Sequence, residues 1–327
     1  MSVHDPVWIA EADVFAHCVN GDFYHRTNGK RLREVPLFRH LKCSLVRNAD
    51  TVSVEEYHGR KSEVSFRSAR PWTRGNRSPA CELSDLAIVW LYAHRRDIDI
   101  RVTFLQAKWS GGAHKCMEQG PPYNEAFQGN STQWYLLNKR PDIWPSHGNF
   151  NPPSDLLKGA ALPSVSSFGV FHDLGGHEYN FFYGAADTVI CPPPRRATAK
   201  ASMYCASPHR FVTTGPYLEE KFSPSVRDFI SALLCGRVGT PIELESSLSK
   251  TERNYRSRVG GWLVSCIQTF NPGAERRRLF QALRRHFDDF TADFAEPVQE
   301  GTGVGQFLLI GGGDLDVPQR RLGSLDF

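Results

Sequence analysis

Eight cysteines without a single CxxC pair, no apolar run longer than Leu86–Ala93, and almost no charge bias are the first things this sequence withholds. Cysteines at 18, 43, 81, 116, 191, 205, 235 and 266 fit neither a zinc ribbon nor a disulfide-stapled secreted scaffold, and they read as reduced thiols. His114 and Cys116 alone do not make a four-donor zinc site. An eight-residue apolar run is far short of the roughly 20 residues that cross a bilayer. Residues 1–20 carry Asp5, Glu11 and Asp13 and have no basic segment leading into an apolar one. No signal peptide and no membrane are therefore expected, and the cytoplasm is the expected compartment. With 39 Lys+Arg against 35 Asp+Glu, a nucleic-acid surface has to come from clustering of charge. A GK[ST] phosphate loop, a GxSxG elbow, an HExxH segment, internal repeats and low-complexity tracts are also missing.

What is present is ordinary globular material: 327 residues, 40% hydrophobic and 23% charged, a length that suggests about two domains. Residues 1–80 show turn signals at Asn20-Gly21 and Asn28-Gly29 and no long helical periodicity. From Cys81 to Trp109 the texture changes to β-branched and aromatic runs, Leu86–Ala93 and Ile98–Lys108, separated by the polar His94-Arg95-Arg96-Asp97. Downstream, a short helix over Ser131–Leu137 is capped by Ser or Thr and stopped by Pro141. Strands follow at Val165–His172 and Tyr179–Ile190. Ser223-Pro224 opens a helix ending near Gly236, and Ala274–Phe294 carries Leu279, Phe280, Leu283, Phe287 and Phe290 on one stripe. A last apolar run, Gln306–Ile310, is expected as an edge strand. The expected division is 1–195, an α/β domain with an N-terminal extension, and 196–327, a mainly helical region able to complete the same domain.

The chemistry sits in the two runs. Paired positions of an antiparallel hairpin have a constant index sum; Asp85 with Gln106 gives 191, and its midpoint of 95.5 is the middle of the polar turn. In that register Asp85 faces Gln106 across the ladder, and the period of two sets Lys108 on the same face as Gln106. Both faces of the pair are otherwise mostly apolar, as in a central strand pair. An acid, an amide and an amine at the end of a buried hairpin are costly unless they bind something. A carboxylate and an amide oxygen can hold a hard divalent ion that activates water against a phosphodiester, with Lys108 orienting that water or offsetting the developing charge. Read structurally, the same three are a strand-start cap, a buried hydrogen-bonder and a snorkelling lysine.

Asp85 followed by Gln106-Ala107-Lys108 resembles the D…(D/E/Q)xK signature of PD-(D/E)xK restriction-endonuclease-like nucleases, and is similar to the QxK variant of Mrr-type enzymes. The resemblance spans residues from about 30 to 110. It implies an αβββαβ core, a mixed sheet flanked by helices, and Mg²⁺ or Mn²⁺ as cofactor. Asp85, Gln106 and Lys108 are then catalytic, with Asp85, Gln106 and the Ala107 carbonyl on the metal. Ser84 stands where proline often precedes the family's aspartate, and Gln106 where an acid is commoner. An upstream glutamate is also implied, for which Glu34, Glu55, Glu56, Glu63 and Glu82 are eligible; Glu82 is nearest in sequence.

The implied activity is a metal-dependent DNA endonuclease in restriction or anti-phage defence, with RNA as the other substrate and any translocation supplied by an ATPase or helicase partner. The rival is a decayed nuclease fold serving as a nucleic-acid-binding or scaffold subunit. Arginines gather at 253, 256 and 258, at 276–278, and at 284 and 285; Arg277, Arg278 and Arg285 are the candidates for phosphate contact, against the plainer reading of a solvated face. Trp72 and Trp109 are either base-stacking or core residues. Residues 301–305 read as a loop, and His172, Asp173 and His177 as either an acid/base cluster or a polar turn.

Overall fold

The computed structural model describes residues 6–48, 52–56, 63–68, 78–94, 97–113, 125–146, 150–192, 200–206, 209–268, 274–291 and 306–313. Helices α1 (Pro6–Thr27) and α2 (Glu34–Asn48) precede strands β1 (Val52–Glu56), β2 (Glu63–Phe66) and β3 (Ala80–Glu82). The hairpin is β4 (Leu86–His94) and β5 (Asp97–Ala113). Then come β6 (Glu125–Asn130), α3 (Ser131–Lys139), β7 (Ile143–Pro145), β8 (Ser166–Gly175), β9 (Glu178–Ala185), β10 (Val189–Ile190) and β11 (Lys200–Cys205). The chain continues through β12 (Phe211–Thr214), β13 (Tyr217–Glu220), β14 (Phe222–Ser223), α4 (Val226–Leu234), β15 (Thr240–Pro241), α5 (Lys250–Gln268), α6 (Ala274–Thr291) and β16 (Gln306–Gly313).

The main sheet runs β1-β16-β4-β5-β8-β9-β14, with β15 added beside β5. It is mixed: β5 is antiparallel to β4 and parallel to β8, and β16 is parallel to β4. Alternation along β4 and β5 sorts their side chains into two cores. Ala87, Val89, Leu91, Val102 and Phe104 pack with residues of α3, α5 and α6, including Leu137, Leu263 and Phe287. Leu86, Ile88, Trp90 and Leu105 pack on the other face with α1, α2 and α4. The result is an α/β/α layering with an apolar central pair.

Several expectations change. Residues 6–27 and 34–48 are helices, in a stretch whose sequence shows no long helical periodicity. α1 buries Ala12, Ala16, Val19 and Phe23, a stripe of mostly small side chains, while Val14 and Tyr24 face water; that mixture blurs the helical period. α3 is capped by Asn130, whose side chain accepts from the Thr132 N–H at 2.8 Å, and not by the following Ser or Thr. α4 is capped by Ser225 in place of Ser223, which lies in β14. β16 is interior to the sheet, between β1 and β4, where an edge strand was expected. Beyond residue 195 the chain supplies helices α4–α6 and also β14, β15 and β16 of the main sheet.

A buried charged network backs this sheet. Lys221 Nζ lies 2.9 Å from Glu219 Oε2 and 2.8 Å from Asp187 Oδ2. Glu220 Oε1 accepts from Arg210 Nε and Ser223 Oγ, each at 2.7 Å, while its Oε2 is buried with no partner. Burial pushes Glu220 up to about 7 against the opposing pull of Arg210. The folded state thus keeps a proton that an ordinary glutamate releases near 4.5. The stability this gives is complete below the unfolded value and lost as pH rises through about 7. Glu220→Gln is expected to flatten the fall in unfolding free energy across that window in urea titrations; an unchanged slope would show that Glu220 does not cause it.

Candidate active site at the end of the central hairpin

The ladder pairs Leu86 with Leu105 and His94 with Asp97, the register expected from the index sum. Its far end is where the polar side chains gather. Asp85 N–H donates to Leu105 O at 3.0 Å, the last main-chain bond of that edge. Two residues on, the Ala107 N–H donates at 2.8 Å to Asp85 Oδ2, so a carboxylate takes the place of a strand carbonyl. Lys108 Nζ donates to Gln106 Oε1 at 3.2 Å and stands 3.9 Å from Asp85 Oδ2. Gln106 is fully buried, and its Nε2 reaches Glu82 O at 3.5 Å. The three residues share one end of the hairpin, with Lys108 12% and Asp85 30% exposed at the side chain. Ser84 beside them is buried with no partner for its hydroxyl.

Two further carboxylates belong to this group. Glu34 opens α2 and accepts from the Trp109 main-chain N–H; burial raises it, Lys108 opposes, and Asp85 adds to the rise. Glu82 ends β3 and is raised by lost hydration and then by Asp85, with Lys108 opposing and Glu63 adding. Asp85 itself is raised by burial, against Lys108 and the Ala107 N–H. One ammonium therefore serves three carboxylates, and each holds its proton more tightly than an exposed acid would. Hard oxygen donors and uncompensated negative charge are the chemistry that a divalent cation relieves. In donor type and charge the residues fit such an ion. Their spacing is less complete: among the described residues no three His, Cys, Asp or Glu side chains gather as a metal-donor set. A ligand sphere here would need the Gln106 amide oxygen or a main-chain carbonyl as well.

Of the five eligible glutamates, Glu34 and Glu82 are the ones whose charges act on Asp85 and Lys108. Glu63 lies one strand away, paired with Glu82. Glu55 and Glu56 are on β1, their side chains outside the described residues. Glu34, one of the five, heads the stripe Leu37, Phe38, Leu41 and Leu45 of α2, with Pro36 in the first turn. The arginine clusters divide. Arg256 is 3% exposed and bonded to Glu243 and the Tyr217 hydroxyl, so it is structural and not a phosphate contact. Arg258 pairs with Asp155. Arg284 and Arg285 face solvent on α6; Arg277 and Arg278 lie on the same helix, their side chains outside the described residues.

Trp109 packs on Tyr179 with ring centroids 5.8 Å apart, a core contact at the site's rim. Trp72, His114, Cys116 and residues 301–305 lie outside the described residues. His172 is buried on β8, and Asp173, next on the same strand, lies 3.6 Å from His177 of the turn that follows. Compared with family models, curated proteins and solved structures, the chain matches none.

Proposed function

We propose that this chain is a divalent-metal-dependent nuclease that hydrolyses phosphodiester bonds, with DNA as its substrate. The observation that carries the reading is the convergence of Asp85, Gln106 and Lys108 at one end of an apolar hairpin, joined by Glu34 and Glu82. Asp85 and the Gln106 amide oxygen, with the Ala107 carbonyl and one of the two glutamates, would hold Mg²⁺ or Mn²⁺. The ion supplies a water of lowered pKa and neutralises charge on the phosphate. Lys108, poised between Asp85 and Gln106, orients the attacking water and offsets charge that builds on the phosphate oxygens. A role in restriction or anti-phage defence belongs to the same proposal and rests on the family resemblance alone.

Purified protein incubated with supercoiled and linear DNA is expected to cut in Mg²⁺ or Mn²⁺ and not in EDTA. RNA in parallel reactions tests the sugar. Metal-independent cutting, or none with any nucleic acid, would overturn the reading. A second reading, a nuclease fold without catalysis acting as a scaffold, is favoured by one feature: Lys108 and Gln106 already bond each other, and among the described residues no three His, Cys, Asp or Glu side chains are spaced as a metal-donor set. Metal binding separates the two. For the catalytic reading, Mn²⁺ affinity rises with pH, because three carboxylates with raised pKa values must shed protons to ligate. Calorimetry in buffers of different ionisation enthalpy counts those protons, and a pH-independent affinity would take the carboxylates off the metal.

A further inference from the structure

A second charged feature lies on the small sheet β3-β2-β7, at the Arg67 end of β2. A cleft of about 350 Å³ is lined by Arg67, Lys139, Arg140, Asp142, Trp144 and Lys158, four cations against one carboxylate. The volume suits a small organic ligand. Trp144 is 39% exposed, and the Arg67 guanidinium sits over its ring at 5.7 Å from the centroid. An aromatic face open to solvent among cations is the combination that takes a planar base and its phosphate.

Part of the charge has a local use. Lys139 and Arg140 end α3, where they offset its terminal carbonyls. Lys158 pairs with Asp142 at 2.8 Å, both side chains well exposed. Arg67, just past β2, has neither excuse. Arg140 is also conspicuous: it holds a left-handed conformation, φ 48° and ψ 54°, at a helix end where glycine is the easy choice. A long cation is kept there at a conformational cost.

The position relates this cleft to the carboxylates. Glu63 at the head of β2 pairs with Glu82, while Ser65 near its tail pairs with Trp144 and Phe66 leads into Arg67. From Glu63 to Arg67 the strand spans about 13 Å at ~3.3 Å per residue. That is about four nucleotides at the ~3.4 Å rise of a stacked strand. We propose that the cleft is a nucleotide subsite: it seats an unpaired nucleotide of the strand whose backbone reaches the Asp85 site, the base on Trp144 and the phosphate on Arg67 and its neighbouring cations. The path of the strand rests on the nuclease reading; the ligand chemistry of the cleft does not.

The test is anisotropy of a labelled twelve-residue oligo(dT) with the full chain in EDTA, where no cutting confuses binding. Trp144→Leu is expected to weaken binding on the order of tenfold, and Trp144→Phe to keep most of it. Arg67→Ala should weaken binding and lower the slope of log affinity against log salt by about one. Lys158→Ala, at an exposed position outside any strand, carries the test if thermal melts show the Trp144 variants unfolded. Wild-type affinity and salt slope in folded Arg67, Trp144 and Lys158 variants would overturn the subsite. A mononucleotide competing as well as the oligonucleotide would overturn the strand path and leave a free-nucleotide site. If binding depends on Trp144 and Arg67 but metal brings no cleavage, the subsite stands and the nuclease reading falls. Asp85-dependent cleavage with binding indifferent to both would do the reverse.

Discussion

Asp85→Asn is expected to abolish the proposed metal-dependent cleavage, a loss on the order of 10³-fold or more, in a protein that still folds. The expected loss follows because the substitution removes the charge that would hold the proposed cation, and with it the polarisation that cation would supply. The fold survives because asparagine keeps an oxygen able to accept the Ala107 N–H. Stability even favours the variant at high pH. Burial raises the Asp85 pKa, so the stability it contributes is lost as pH climbs through the folded value, and the neutral amide has no proton to lose. Relief of repulsion also lowers Glu34 and Glu82 toward ordinary carboxylate behaviour. Plasmid nicking beside thermal melts at two pH values checks all of this. Equal cutting by wild type and variant would mean that the scission comes from elsewhere, and an unfolded variant would make Asp85 a structural residue.

Gly239→Ala is expected to cost about 3 kcal/mol of stability from backbone strain and overpacking together. Gly239 has φ +91°, and a Cβ there would lie 2.8 Å from the Val102 carbonyl oxygen, a main-chain atom fixed in the ladder where Thr240 pairs with Val102. Neither the torsion nor the neighbour can yield cheaply. Gly175, at φ +112° with open space around it, is the control: Gly175→Ala carries the torsional cost alone, about 1 kcal/mol. Chemical denaturation of the two variants should separate by roughly 2 kcal/mol. Similar losses at both sites would mean that the approach to β5 is not tight.

The hairpin was legible because its information is local: the apolar runs, the polar turn and the constant index sum all lie within residues 85–108, and the register followed. The stripe of α6 was legible for the same reason, with Leu279, Leu283 and Phe287 buried as spaced. Less came through where the pattern was weak or distant. Small side chains inward and Val14 outward hid α1. β16 pairs with a strand more than 200 residues earlier, and nothing in the run Gln306–Ile310 encodes that partner. Arg256 looked like its basic neighbours, because the acid that buries it, Glu243, arrives from a separate loop. Glu34 could be counted as eligible yet not chosen, since only the docking of α2 brings it to Trp109 and Asp85. Arg67 and Trp144 meet across a sheet from opposite sides of the hairpin, and no motif links them.

The seat of β16 between β1 and β4 has a consequence for synthesis. Both flanking strands leave the ribosome long before their shared partner. At roughly 5–20 residues per second the wait is about 10–40 s, during which each offers an open row of amides and carbonyls to any passing chain. A nascent protein in that interval needs a chaperone's cover, and premature termination before residue 306 would leave a product prone to clump.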